Sequence, residues 1–174
     1  MEINGEGGFV TVVNERATWE ATQGESEGRR VLIADSSAFI RIMLSIVLRK
    51  MGFDVVGLAR DGGEAVRKCM ELAPDILILD AKLERGDGIE VMRRILRENT
   101  ATVVILLFPD AKGMSLKAAE AVRAGALGFL RKPLSESELR RRMERMLKGG
   151  GEGNDDCEGE SGGKRGGVAD GNER

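Results

Sequence analysis

The chain has 174 residues, with 27 Lys and Arg against 29 Asp and Glu, two Cys, no Tyr and no His. Without His there is no Ser-His-Asp or Cys-His catalysis and no His-ligated metal site, and Cys69 and Cys157 alone make neither a zinc knuckle nor a disulfide framework. The net charge of -2 averages a basic body, 30–148, with two acidic ends, 1–29 and 149–174.

Residues 1–29 are rich in Gly, Glu, Ser and Asn and read as a mostly disordered leader, although Phe9 to Val13 has the makings of a short strand and Trp19 could dock. From there the chain alternates. Val31 to Ala34 is a short apolar strand ending at Asp35. Apolar residues then recur at helical spacing from Ser37 to Met51, and Gly52 closes that helix. Phe53 to Ala59 reads as a second strand, followed by a turn at Asp61 to Gly63. Glu64 to Ala73 is a helix ended by Pro74, with Cys69 on its apolar face. Ile76 to Leu79 is a continuous apolar strand ending at Asp80. Gly88 to Asn99 is the third helix and Val103 to Phe108 the fourth strand, stopped by Pro109. Lys112 to Ala124 is an Ala-rich helix, Ala126 to Leu130 a fifth strand, and Ser135 to Glu138 a capping box opening a helix to about Lys148. Residues 149–174 hold ten Gly and three apolar residues, too few to offset the entropy of ordering, and read as a disordered acidic tail around a spare Cys157.

Five βα units with continuous apolar strands predict a five-stranded parallel sheet, doubly wound, with helices on both faces. In such sheets sites form at the carboxyl ends of the strands. There stand Asp35 and Ser36, then Asp80 to Lys82, then Phe108 to Ala111, then Arg131, Lys132 and Pro133. Carboxylates at a common rim suit a hard divalent cation such as Mg2+. A metal-bound carboxylate can attack phosphorus while Mg2+ and a Lys neutralise the equatorial oxygens. Singly, Asp35 or Asp80 is better read as a helix or turn cap; together, beside Lys132-Pro133, they point to a site.

The stretch from about Val31 to Leu147 resembles the receiver domain of two-component response regulators, most closely the single-domain chemotaxis type. The matching pieces are Val31 to Arg41, Gly52 to Val56, Ala59 to Ala65, Pro74 to Asp80, Asp87 to Glu90 and Ala124 to Pro133, in order, with 45 positions from Asp35 to Asp80 and 52 from Asp80 to Lys132. The resemblance implies the flavodoxin-like receiver sandwich. It implies that Asp80 is the phosphoacceptor for a histidine kinase, and that Asp35, Asp80 and the backbone carbonyl of Lys82 hold Mg2+. It also implies that Lys132 pairs with the acceptor, that Lys132-Pro133 is cis, and that Phe129 is the aromatic whose rotamer reports the switch.

Four departures accompany it. Ser36 replaces the second acid, which lowers the expected metal affinity. The Ser or Thr after the fourth strand is replaced by Asp110, counting back from Lys132, or by Phe108, reading to the end of the strand. Glu84 stands where a proline is usual, and Lys82 adds a cation beside Asp80, although both also read as solvated loop.

The sequence thus suggests a cytoplasmic, non-enzymatic phosphoacceptor switch with a histidine kinase and a downstream protein as partners. The alternative is a pseudo-receiver that binds partners without phosphorylation. Arg140, Arg141, Arg142 and Arg145 raise nucleic acid as a third partner class, but few aromatics and no appended DNA-reading motif argue for a solvated basic face. No run of residues is long and apolar enough for a membrane span.

Overall fold

The computed structural model describes residues 28–84, 86–98, 101–109 and 114–147; the leader and tail readings, Asp110 and Cys157 lie outside them. The main-sheet strands are β1 (Arg30–Ala34), β2 (Asp54–Ala59), β3 (Ile76–Asp80), β6 (Val103–Pro109) and β7 (Gly128–Lys132), all parallel in the order β2-β1-β3-β6-β7. The helices are α1 (Ala38–Lys50), α2 (Gly62–Leu72), α3 (Gly88–Glu98), α4 (Met114–Arg123) and α5 (Glu136–Leu147). The expected doubly wound sandwich is therefore the fold.

Alternation along each strand sorts two cores. Val31, Ile33, Ile76, Ile78, Ile105, Leu107 and Leu130 pack with Leu44, Val47 and Leu48 of α1 and Leu139, Met143 and Met146 of α5. Leu32, Ala34, Leu77, Leu79, Val104, Leu106 and Phe108 pack on the other side with residues of α2, α3 and α4. The period of two along a strand produces this division, and burial of both faces explains why the strands read as unbroken apolar runs.

Three details differ from expectation. The fifth main strand runs two residues later, over Gly128–Lys132, because Ala126 N–H still bonds the Ala121 carbonyl at the end of α4, before Leu127 joins Val104. Arg131 and Lys132 are consequently strand residues, not residues after a strand. α2 starts at Gly62: Asp61 caps it by accepting from Glu64 N at 2.8 Å, while Glu64 returns a bond to Arg60 N. Glycine is needed there, since a Cβ on Gly62 would lie 2.6 Å from Val91 Cγ2 of α3. Finally, the segment around Lys82 and Glu84 includes a two-stranded antiparallel ribbon, β4 (Lys82–Leu83) with β5 (Gly86–Asp87), in which Leu83 is buried. Lys82 and Glu84 themselves are exposed, as a solvated segment requires.

Cys69 is a buried free thiol whose Sγ lies 3.7 Å from Thr102 Oγ1, which in turn bonds the Pro74 carbonyl. Burial pushes this thiol upward from its ordinary range, consistent with a packing role. Among the described residues, no helix is long and apolar enough to cross a membrane.

Candidate phosphoacceptor site

Asp35, Asp80 and Lys132 lie at the carboxyl rim of three different strands, yet share one parity. Asp35 continues the Val31-Ile33 row, Asp80 the Ile76-Ile78 row, and Lys132 the row of Leu130, all on the α1/α5 side. The sheet register completes the approach. Ala34 pairs with Leu79, so the next residues, Asp35 and Asp80, are level. Lys132 reaches across from β7.

Its Nζ donates to Asp35 Oδ2 at 2.5 Å and to Asp80 Oδ2 at 3.0 Å. The remaining carboxylate oxygens accept from backbone: Asp35 Oδ1 from Ser37 N at 2.8 Å, and Asp80 Oδ1 from Lys82 N at 3.1 Å. Asp35 is fully buried and Asp80 5% exposed. The triad therefore holds two carboxylates and one ammonium, an excess of negative charge below the surface. Burial pushes the Asp80 carboxyl above its usual range. The Lys82 N–H and the Lys132 ammonium oppose that shift, and Asp35 adds to it.

This direction has a consequence for stability. Between the ordinary carboxylate range and the raised folded value, the folded protein binds more protons than the unfolded chain, so stability falls as pH climbs through that window. Asp80→Asn is expected to remove this fall. Urea midpoints of the variant should exceed wild type at neutral pH and converge with it well below the carboxylate range. A constant difference at all pH values would contradict the assignment.

Two residues without an expected role support the site. Arg41 Nη1 donates to the carbonyls of Asp35 at 2.6 Å and Ser36 at 3.0 Å, clamping the turn that carries both. Gly88 N bonds the Ala81 carbonyl, and a Cβ on Gly88 would lie 2.2 Å from the Asp80 carbonyl oxygen. The α3 start can thus press against the Asp80 backbone only as glycine. Asp87 caps the same helix, accepting from Ile89 N at 2.8 Å. In sequence, Arg41 had only its place one helical turn and a half after Asp35 as a signal, and Gly88 only its place after Asp87.

The fourth main strand, β6, is not stopped by Pro109 but runs through it, since Pro109 pairs with Lys132; Phe108 is therefore a strand residue, and of the two candidate positions it alone lies among the described residues. Asp80 pairs with Leu107 and Phe108 follows, 1% exposed. Its side chain belongs to the core on the α2–α4 side and does not fill the carboxylate pocket. There it meets half-buried Phe129 edge-on, with ring centroids 6.1 Å apart and an interplanar angle of 83°. Lys132-Pro133 is cis.

The family model for the response regulator receiver domain matches residues 31–144, spanning every main-sheet strand and the acid-lysine cluster. The chain belongs to the response regulator receiver family. This receiver is 36% identical to the chemotaxis protein CheY of Thermotoga maritima over 121 residues, which are 70% of this chain and 99% of that protein. It is 40% identical over 111 residues to the transcriptional regulatory protein PdtaR of Mycobacterium tuberculosis, covering 64% of this chain but only 53% of that relative. Among solved structures, the receiver is similar to the CheX-CheY-BeF3-Mg2+ complex from Borrelia burgdorferi, with a TM-score of 0.65 and 28% identity over 70% of this chain and 90% of that one. It is also similar to the response regulator domain of Thermotoga maritima CheB, with a TM-score of 0.60 and 32% identity over 70% of this chain and 97% of that one.

Proposed function

We propose that this receiver accepts a phosphoryl group on Asp80 from a histidine kinase and that the modified protein changes its affinity for a downstream protein. The observation that supports this reading best is the convergence of Asp35, Asp80 and Lys132, with an acceptor carboxylate placed within 3.0 Å of a lysine ammonium. In the transfer, an Asp80 carboxylate oxygen forms the bond to phosphorus as the bond from phosphorus to the kinase imidazole nitrogen breaks. The electron pair of that bond leaves on the imidazole. Lys132 then has a phosphoryl oxygen in place of Asp80 Oδ2 as its partner, and Asp35 retains its share of the ammonium.

The donor set fits Mg2+. Two carboxylates and a main-chain carbonyl are hard oxygen ligands, and among the described residues no three acidic or cysteine side chains close into an all-protein cage. Mg2+ favours such sparse sites because it keeps several waters. Asp35, Asp80 and the carbonyl of Lys82 are the residues that would hold it. Bound there, the ion supplies positive charge to the equatorial phosphoryl oxygens. Ser36 contributes a neutral oxygen where a third negative charge would strengthen binding, so affinity is expected to be weak.

One observation favours a second reading, a binding module that works without phosphorylation. Phe108 offers no hydroxyl to a phosphoryl oxygen, and its ring is buried on the opposite side of the sheet. The test that separates the two is intact-mass measurement after incubation with a small phosphoryl donor and Mg2+. Wild type should gain one phosphoryl group and Asp80→Asn none. No adduct under donor excess, together with no Mg2+ binding by titration, would leave the binding module as the reading.

Nucleic acid remains the less favoured partner. Arg142 is committed to Glu138 of its own helix at 3.1 Å, and Arg140 and Arg141 are interspersed with Glu136 and Glu144. Such a mixed face is a poor counterpart for a run of phosphates.

A further inference from the structure

The outer face of α1 is unusual. Phe39 is 74% exposed, Ile42 56% and Ile46 51%. Their spacing of three and four residues places them on one side of the helix, turned away from Leu44, Val47 and Leu48 in the core. A surface helix normally carries polar residues there, and a contiguous apolar stripe of this kind marks a contact surface. α1 also contains Arg41, Arg49 and Lys50 and no acidic residue. The face is apolar along its length, and its C-terminal end carries two exposed cations, Arg49, which donates to the Val55 carbonyl at 2.8 Å, and Lys50, which pairs with Glu136 at 3.6 Å.

The start of the described chain lies at that same end. Gly28 N donates to the Gly52 carbonyl at 3.0 Å, and Asp54 N to the Arg29 carbonyl at 2.8 Å. Gly52 directly follows Met51, the C-cap of α1. Residues 1–27 therefore join the domain beside the basic end of the apolar stripe. They carry Glu2, Glu6, Glu15, Glu20, Glu25 and Glu27 against Arg16 alone, with Trp19 as the sole tryptophan of the protein. Glu25 and Glu27 are the acids nearest the junction in sequence. A 13-residue helix is about 20 Å long, and the nine residues from Trp19 to Gly28 span up to about 30 Å when extended. Trp19 can thus reach any point of the stripe, at the high effective concentration that a short tether confers.

We infer that the segment around Trp19 covers the Phe39-Ile42-Ile46 face of α1, with its glutamates against the basic end of that helix. The occupant has what the surface lacks: an aromatic anchor of large apolar area and negative charge, delivered at the right end. The inference is independent of Asp80 chemistry.

The protein contains its own probe, since it has one Trp and no Tyr. Fluorescence of the full chain, excited selectively at tryptophan, should show emission at shorter wavelength than free N-acetyltryptophanamide and reduced acrylamide quenching. Phe39→Ser/Ile42→Ser/Ile46→Ser should move both readings to those of the free amide, while circular dichroism and the melting transition stay cooperative. If that triple variant fails to fold, Ile42→Lys alone should give the same direction of change. Three results would overturn the inference: wild-type Trp19 indistinguishable from the free amide, a shielded Trp19 that no α1 substitution exposes, or shielding that disappears on dilution, which would assign the face to a second copy.

Discussion

Replacing Lys132 by Met is expected to cost about 3–5 kcal/mol of folding stability, the range for breaking a buried ion pair from one side. The magnitude follows from what is left behind. Asp35 and Asp80 are 0% and 5% exposed, their carboxylates face one ammonium, and no other side-chain cation bonds either of them among the described contacts. Methionine preserves most of the side-chain volume, so the loss is one of charge and hydrogen bonding more than of packing. The measurement is urea denaturation at neutral pH, with the slope confirming a two-state transition. Adding Asp80→Asn to Lys132→Met should recover a substantial part of the loss, because one of the two stranded charges is gone. A double variant no more stable than the single would show that Lys132 contributes through its stem and not through its ammonium. Lowering the pH should narrow the gap between wild type and Lys132→Met, since protonated carboxyls no longer require the ammonium.

Phe108→Ala is expected to destabilise by a similar amount, about 3–5 kcal/mol, through a different mechanism: the lost transfer energy of a buried ring plus the cavity it leaves. Phe108 is 1% exposed and is among the largest fully buried side chains. Phe129→Ala should cost less, because that ring is only half-buried. A double-mutant cycle between them should return a coupling of about 0.5–1.5 kcal/mol for the edge-on pair. Zero coupling would mean that the two rings share a core without interacting. Phe108→Leu, which keeps most of the apolar volume, should cost distinctly less than Phe108→Ala.

The architecture was legible because burial on both faces writes itself into composition. Val31 to Ala34, Ile76 to Leu79 and Val103 to Phe108 leave no polar position for solvent, which only a covered parallel sheet tolerates. The acids at two strand ends were legible for the same reason, as the first charges after apolar runs. The lysine was harder. Gly128 to Lys132 is partly exposed, so the pattern there is mixed, and the apolar residues mark a strand two residues early, from Ala126, whose N–H still bonds the Ala121 carbonyl of α4. Arg41 and Gly88 were not legible as parts of the site. One acts on backbone carbonyls, which every residue has; the other acts by lacking an atom, and only the distance to the Asp80 carbonyl oxygen reveals why that matters. The position after the fourth strand was ambiguous between Phe108 and Asp110 because counting from Lys132 assumes a loop of fixed length. The sheet register places Phe108 one residue past the partner of Asp80.

The parity of the strands separates charge from aromaticity. Asp35, Asp80 and Lys132 continue the rows on the α1/α5 side, whereas Phe108 and Phe129 belong to the opposite layer. A single thickness of backbone lies between the group that would be modified and the rings that fill the space behind it. The two layers meet at the backbone, where Gly88 of α3 leaves no room for a Cβ beside the Asp80 carbonyl oxygen. Away from that contact, a side-chain substitution in the aromatic layer changes packing there and leaves the three charged side chains of the rim in place.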